Sequence, residues 1–210
     1  SIGIEWFVNQ ISKNYKKNIP IILLTKGLAI EDNELITLSD KIKKLLKNQG
    51  QTEVNVSAIK GPCLAAGLAN KMRTGTVIAN PNIKETEKLK KFISTDYYST
   101  ETSDDLTGVE LAGAIKNIYS MLIGASEGLS NSKASKEIQS KYYLNTSASL
   151  IHRSISEMVE FVSYYGGKTD TVYGLAGLGD LYVSAIGGRN SLMGKYLGEG
   201  YLYKDAKEKF

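Results

Sequence analysis

The chain has 210 residues, 42% of them hydrophobic and 23% charged, with a formal net charge of +4; this is length for one large domain or two small ones with a real core, and a mild positive balance that suits a small anion. Its single cysteine excludes an internal disulfide or a multi-cysteine metal site, and its single histidine argues against metal binding of any kind. No lysine-rich stretch interleaved with aromatics points to nucleic acid, the longest aliphatic run (Ile19–Leu24) is far too short to span a bilayer, and Ser1–Gln10 lacks the basic start of a secretory signal, so a cytoplasmic location is expected.

In chain order, Ser1–Lys17 carries Ile2, Trp6, Phe7, Ile11 and Tyr15 and predicts an amphipathic helix. Ile19–Leu24 predicts a buried strand that runs into Thr25-Lys26-Gly27. The carboxyl end of a parallel strand is where open α/β sheets take ligands. Glu34–Asn48 predicts a second amphipathic helix closed by Gly50. Glu53–Ile59 predicts a strand; Gly61-Pro62-Cys63 follows, where glycine admits a ligand close to the backbone, and then a short alanine-rich helix, Leu64–Lys71. Thr74–Ala79, Asn82–Ile93 and Asp96–Thr102 predict strand, helix and strand. This alternation marks half of an α/β sheet, and strand signals stop near residue 104.

The remainder predicts helices. In Gly108–Gly128, Val109, Ala112, Ile115, Tyr119, Leu122 and Ile123 make one buried stripe. Gly113, Lys116 and Ser120 make a second line, with Glu110 and Asn117 beside it. An exposed lysine on an ordinary helix is the plain interpretation of Lys116. The alternative is a partly desolvated amine, either paired with an acid or kept for chemistry. Ser130–Leu144 predicts mostly loop. Thr146–Tyr165 predicts a long helix closed by Gly166-Gly167, with the lone histidine, His152, a structural and partly exposed residue. In Tyr173–Leu181 the glycines allow close helix packing and aim Asp180 inward, where it needs a cation; Lys116 is the candidate. Gly187-Gly188-Arg189-Asn190 offers backbone amides and a guanidinium, a combination suited to phosphate, or else a turn with a surface arginine. Lys204–Phe210 predicts a charged helical fragment.

Together these segments resemble a known family. GVELAGAIKN is similar to the GVELxGALKN segment of NAD(P)-dependent glycerol-3-phosphate dehydrogenases, LTKGL to their SKG strand end, and KGPCLAAGLA to SGPSFAxEVA. GLAGLGDL, followed by Ser184 and then GGRN, resembles their second-domain signature, in a form closer to eukaryotic and archaeal-type members. The resemblance covers nearly the whole chain. It implies a partial Rossmann-like parallel sheet (residues 1–103, the second half of a dinucleotide-binding α/β domain). An all-helical substrate domain of the 6-phosphogluconate-dehydrogenase C-terminal type would follow (residues 104–210). It also implies NAD(P)H-linked interconversion of dihydroxyacetone phosphate and sn-glycerol 3-phosphate, NAD or NADP as cofactor and a homodimer; no metal and no nucleic acid are expected from the residue counts and charge pattern above. By resemblance Lys116 is the general acid/base and Asp180 orients it. Lys26 reaches substrate and cofactor, Gly61 and Cys63 line the substrate pocket, and Ala65 touches the cofactor. Gly188, Arg189 and Asn190 hold the phosphate, with Arg189 also facing the cofactor, and Asn117 and Ser184 are second contributors.

Cys63 departs from the family's usual serine or similar small residue, so a hydroxyl contact becomes a weaker thiol one. No G-x-G-x-x-G follows a strand in these residues, whereas the family carries that loop upstream of where this chain starts, and the last helices of the substrate domain are expected to be missing too. The chain is therefore expected to be the middle of a dehydrogenase. An inactive fragment that keeps phosphate binding or dimerisation, and a related two-domain hydroxy-acid dehydrogenase, are the alternatives.

Overall fold

The computed structural model describes residues 3–16, 19–133 and 143–209. Helix α1 (Gly3–Ile11) buries Ile4 and Val8; residues 1, 2 and 17 of the expected first helix lie outside the described residues. Strand β1 (Ile21–Leu23) follows, and then β2 (Leu28–Glu31) and β3 (Glu34–Thr37) pair antiparallel from Leu28↔Thr37 to Glu31↔Glu34. The expected helix over Glu34–Asn48 therefore starts late. Asp32 and Asn33 both take positive φ, 51° and 64°, the backbone of a two-residue hairpin turn. Helix α2 (Leu38–Asn48) begins only where the Thr37 hydroxyl accepts from the amide of Asp40 at 3.2 Å, and its Leu38, Ile42 and Leu46 are fully buried. Gly50, at φ +87°, closes α2 as its sequence position predicts.

Strand β4 (Val56–Lys60), the short helix α3 (Ala65–Ala69), strand β5 (Thr74–Ala79), helix α4 (Ile83–Ile93, capped by Asn82) and strand β6 (Tyr98–Ser103) complete the α/β part. The sheet order is β1-β4-β5-β6. β1 and β4 run parallel with Leu23 opposite Ala58, and β5 and β6 run parallel with Thr74 opposite Tyr98. β4 and β5, however, are antiparallel, Ala58 opposite Ala79 and Lys60 opposite Val77. The sheet is thus mixed. Helix α3 is little more than one turn, too short to carry the chain back across the sheet as a parallel crossover does.

Helix α5 (Leu106–Lys133) is the longest described element. Asp105 starts it by accepting from the amides of Gly108 and Lys168, both at 2.9 Å, and from the Thr171 hydroxyl. α5 packs its first half on β4 and β5 and its second half among helices α6 (Tyr143–Tyr164), α8 (Asp180–Gly187) and α9 (Arg189–Gly198). One cluster of buried apolar side chains therefore runs from Ile4 through the sheet to Val162 and Leu181. Leu122, expected on the buried stripe, is exposed, because α5 buries a different face once it leaves the sheet. In α6 the expected stripe holds, with Ile155, Met158 and Val162 buried; His152 is exposed. Residues 130–133 of the expected loop continue α5, and 134–142 lie outside the described residues. α7 (Thr169–Tyr173) precedes a π-helical turn (Leu175–Gly179), and α10 (Tyr203–Lys207) ends the described chain near residue 209.

Candidate functional site

The site assembles where β1 ends, where α5 passes the sheet, and where α8 hands over to α9. Lys116, on the third turn of α5, is only 4% exposed, so the plain interpretation of an open surface lysine does not hold. Its Nζ donates to Asp180 Oδ1 at 2.8 Å and to the Ser184 hydroxyl. The other carboxylate oxygen, Oδ2, accepts from Lys26 Nζ. One buried carboxylate is thus shared by two ammonium groups. Asp180 owes its aim to the π-helical turn before it, which packs so closely that a Cβ on Gly177 would lie 2.1 Å from the Val172 carbonyl oxygen. Ser184, one turn further along α8, presents its hydroxyl to the same amine.

Burial pulls the Lys116 ammonium below the ordinary lysine value, against the attraction of Asp180, and the charge of Lys26 adds to the lowering. An amine held in this way is easier to deprotonate than a surface lysine, which is what proton transfer near neutral pH requires.

Lys116 opens onto a cleft of about 880 Å³. Of the residues proposed from the sequence, Lys26, Lys116, Asn117, Ser184, Gly188, Arg189 and Asn190 line it, and Asp180 lies behind Lys26 and Lys116. Gly188 is the N-cap of α9, where a Cβ would lie 2.3 Å from the Ser184 carbonyl oxygen. The tight junction puts Arg189 and Asn190 in the first turn of a ten-residue helix, whose free amides favour an anion. Gly61, Cys63 and Ala65 are not among the lining residues. Gly61, at φ +135°, is pressed against Thr76 of β5, where a Cβ would come to 3.0 Å. Cys63 is partly buried, its thiol pushed up by burial, and it lies within the electrostatic reach of Lys26 and Asp180. Ala65 is exposed on α3.

Sequence reasoning passed over Tyr203 and Lys207 of α10, which form one rim of the cleft, and Met121 and Met193, which face into it from α5 and α9. It also passed over Lys60. This lysine is 2% exposed at the end of β4, and it donates to the carbonyls of Thr25 at 2.9 Å and Leu23 at 3.3 Å. A lysine following Ala58-Ile59 at the end of a central strand was the available signal. Glu110, buried on α5, accepts from the Ser39 amide at 3.2 and 3.3 Å through its two oxygens and so serves the start of α2 rather than the cleft. Among the described residues no group of three or more His, Cys, Asp or Glu side chains could hold a metal ion, and no helix is long and apolar enough to cross a membrane.

Two family models match the chain: the NAD-dependent glycerol-3-phosphate dehydrogenase N-terminus over residues 1–86, and the corresponding C-terminus over residues 105–210. An NADP(+)-dependent glycerol-3-phosphate dehydrogenase of Archaeoglobus fulgidus is 33% identical over 194 residues, 92% of this chain and 55% of that protein. An NAD(P)+ glycerol-3-phosphate dehydrogenase of Coxiella burnetii is 35% identical over 189 residues, 88% of this chain and 50% of its own length. The crystal structure of the glycerol-3-phosphate dehydrogenase from Coxiella burnetii superposes with a TM-score of 0.82 at 31% identity, covering 99% of this chain and 58% of that one. The yeast enzyme's structure gives 0.83 at 20% identity, a likeness of fold. The chain spans about half the length of the curated relatives it matches.

Proposed function

Because this chain belongs to the NAD-dependent glycerol-3-phosphate dehydrogenase family, we propose that it carries the substrate half of an active site that interconverts dihydroxyacetone phosphate and sn-glycerol 3-phosphate. Residues 104–210 would be the helical substrate domain and residues 1–103 the second half of a dinucleotide-binding domain. The observation that supports this most is the buried Lys116–Asp180 pair opening onto a cleft whose far wall is the basic first turn of α9.

In this proposal the Arg189 guanidinium, the amides at the start of α9 and Asn190 hold the phosphate dianion. That places the three-carbon body toward Lys116. Lys116 Nζ gives its proton to the carbonyl oxygen on reduction and takes it back on oxidation. Asp180 and Ser184 keep the amine in place, and the Lys26 ammonium stabilises negative charge developing on that oxygen. A bound nicotinamide dinucleotide, NAD or NADP, would supply the electrons and hydrogen for the carbonyl carbon. The parallel strands β1 and β4 fit it, because β1 runs on to Lys26 at the cleft, β4 runs through Gly61-Pro62-Cys63 to Leu64, which lines it, and Ala65 on α3 is exposed. We place the protein in the cytoplasm as a homodimer; fractionation and sedimentation test those two points.

The experiment is calorimetric titration of the purified chain with sn-glycerol 3-phosphate and with glycerol, followed by NADH oxidation with dihydroxyacetone phosphate. Binding that requires the phosphate supports the site. Equal binding of a hydroxy acid lacking phosphate overturns it. Phosphate-dependent binding without turnover favours the second proposal, an inactive portion that keeps its substrate site, which the half-length coverage of its relatives motivates.

A further inference from the structure

The buried lysine of β4 has no part in the proton transfer proposed above. β1 and β4 pair only as far as Leu23↔Ala58. Beyond Leu23 the chain leaves the sheet, yet Lys26 still presents its ammonium to Asp180. Lys60, two residues past Ala58 on β4, bridges that gap with its side chain. Its Nζ takes the carbonyls of Leu23 and Thr25, the residues on either side of the point where the chain leaves the strand. The rest of the side chain is held as firmly. It crosses Gly113 of α5, where a Cβ would lie 3.0 Å from Lys60 Cδ and 3.1 Å from Cγ. The small surface on α5, one turn before Lys116, is therefore occupied by Lys60.

We propose that Lys60 is a positioning residue for Lys26: by binding the Leu23 and Thr25 carbonyls from behind, it fixes the loop that delivers the Lys26 ammonium to Asp180 and the substrate. This rests on the cleft being the substrate site of the previous section. Lys60 touches neither substrate nor Lys26 directly. Its ammonium is attracted by Glu110 from α5 and Asp180 from α8 and repelled by the like charge of Lys26. It therefore serves through hydrogen bonds and adds no free cation to the cleft. Family resemblance assigns no role to this position, since the corresponding segment SGPSFAxEVA carries a serine there.

A double-mutant cycle on the full chain tests it, with sn-glycerol 3-phosphate as the titrant. Lys60→Met keeps the stem that packs on Gly113 and removes the donor. It should weaken binding about tenfold where Lys26 is present, and by less than about twofold in a Lys26→Met background. Equal losses in both backgrounds, or no loss at all, would overturn the proposal. A second measurement needs no ligand and so separates this proposal from the substrate assignment. The rate of reductive methylation of Lys26, read by peptide mass spectrometry, should rise about tenfold in Lys60→Met while that of Lys116 stays unchanged. An unchanged Lys26 rate sinks the idea even if the cleft binds phosphate, and a raised rate supports it even if the cleft does not. Should Lys60→Met fail to fold, Lys60→Gln, which keeps one donor for Thr25, is read in the same assay. Lys26 reactivity between the wild-type rate and the surface-lysine rate supports positioning, and reactivity equal to either extreme overturns it.

Discussion

Replacing Gly194 by alanine sets two effects of opposite sign against each other. Alanine favours a helix interior over glycine by about 1 kcal/mol. At Gly194 of α9, however, the added Cβ would sit 1.9 Å from the Met121 carbonyl oxygen of α5. Ordinary contact begins more than an ångström further out, and the obstacle is backbone, which no rotamer change can clear. The same holds at Gly124 against Ser191, Gly128 against Lys195 and Gly198 against Ala125, with carbonyl oxygens 2.0 to 2.1 Å from the built Cβ. The two helices meet on glycine from both sides, so one methyl must push them apart along their length. Overpacking of this kind costs about 1–3 kcal/mol; an overlap this deep with backbone takes the upper value, and subtracting the propensity gain of ~1 kcal/mol leaves a net loss of about 2 kcal/mol. Because α5 carries Lys116 and Asn117 and α9 carries Arg189 and Asn190, the same displacement widens the cleft, and affinity for sn-glycerol 3-phosphate should fall as well. Urea unfolding followed by circular dichroism reads the first effect and calorimetry the second. Gly67→Ala in α3 is the control, since its Cβ would meet nothing nearer than Met72 at 4.0 Å and the substitution should be neutral or stabilising. A Gly194→Ala protein that unfolds at the wild-type urea midpoint or above would refute the close helix approach.

The remaining predictions concern charge. Lys116→Ala leaves Asp180 paired with Lys26, so the fold should survive while turnover falls by about 10³-fold; activity near the wild-type rate removes Lys116 from the proton transfer. Arg189→Ala should raise the substrate KM about 10–100-fold with a smaller change in kcat, and an unchanged KM takes Arg189 out of the phosphate site. Asp105→Ala strands two amides and the Thr171 hydroxyl, and should cost about 2–4 kcal/mol in urea unfolding, whereas Asp104→Ala next to it, an exposed residue paired with exposed Lys168, should barely shift the midpoint. Equal midpoints for the two would contradict the network. Burial pulls Lys60 from 10.5 down to about 8, so between those values the folded chain holds fewer protons than the unfolded one. Wild-type stability should therefore gain up to about 3 kcal/mol, relative to Lys60→Met, as pH rises from ~7 through ~10.5. Curves for the two proteins that stay parallel over that window would show that Lys60 is not held as described.

Much of the chain could be read from local pattern. The 3.6-residue periodicity of Thr146–Tyr165, the helix start at Asn82 and the closing glycines at 50 and 166 each act within a few residues, so sequence carries them directly. The hairpin at Asp32-Asn33 was legible in principle, but the apolar spacing from Leu35 onward masked it by continuing into α2. The direction of β5 was not legible. It depends on how far the chain can travel between Lys60 and Thr74, and that turns on α3 being a single turn rather than a crossover helix.

Residue types and their order were enough to nominate Lys116, Asp180 and Arg189, because the segments that hold them resemble a family whose chemistry needs those groups. Tertiary structure decided what they meet. Lys26 and Asp180 stand 154 positions apart, and nothing local to either one says that the ammonium of the first meets the carboxylate of the second. Lys60 reads in sequence as the charged end of a strand. Its desolvation, its carbonyl partners and its bed on Gly113 arise only when β1, β4 and α5 are packed together. Pairing and burial are properties of surfaces brought into contact from distant parts of the chain, whereas caps, turns and periodicity are properties of neighbours along it.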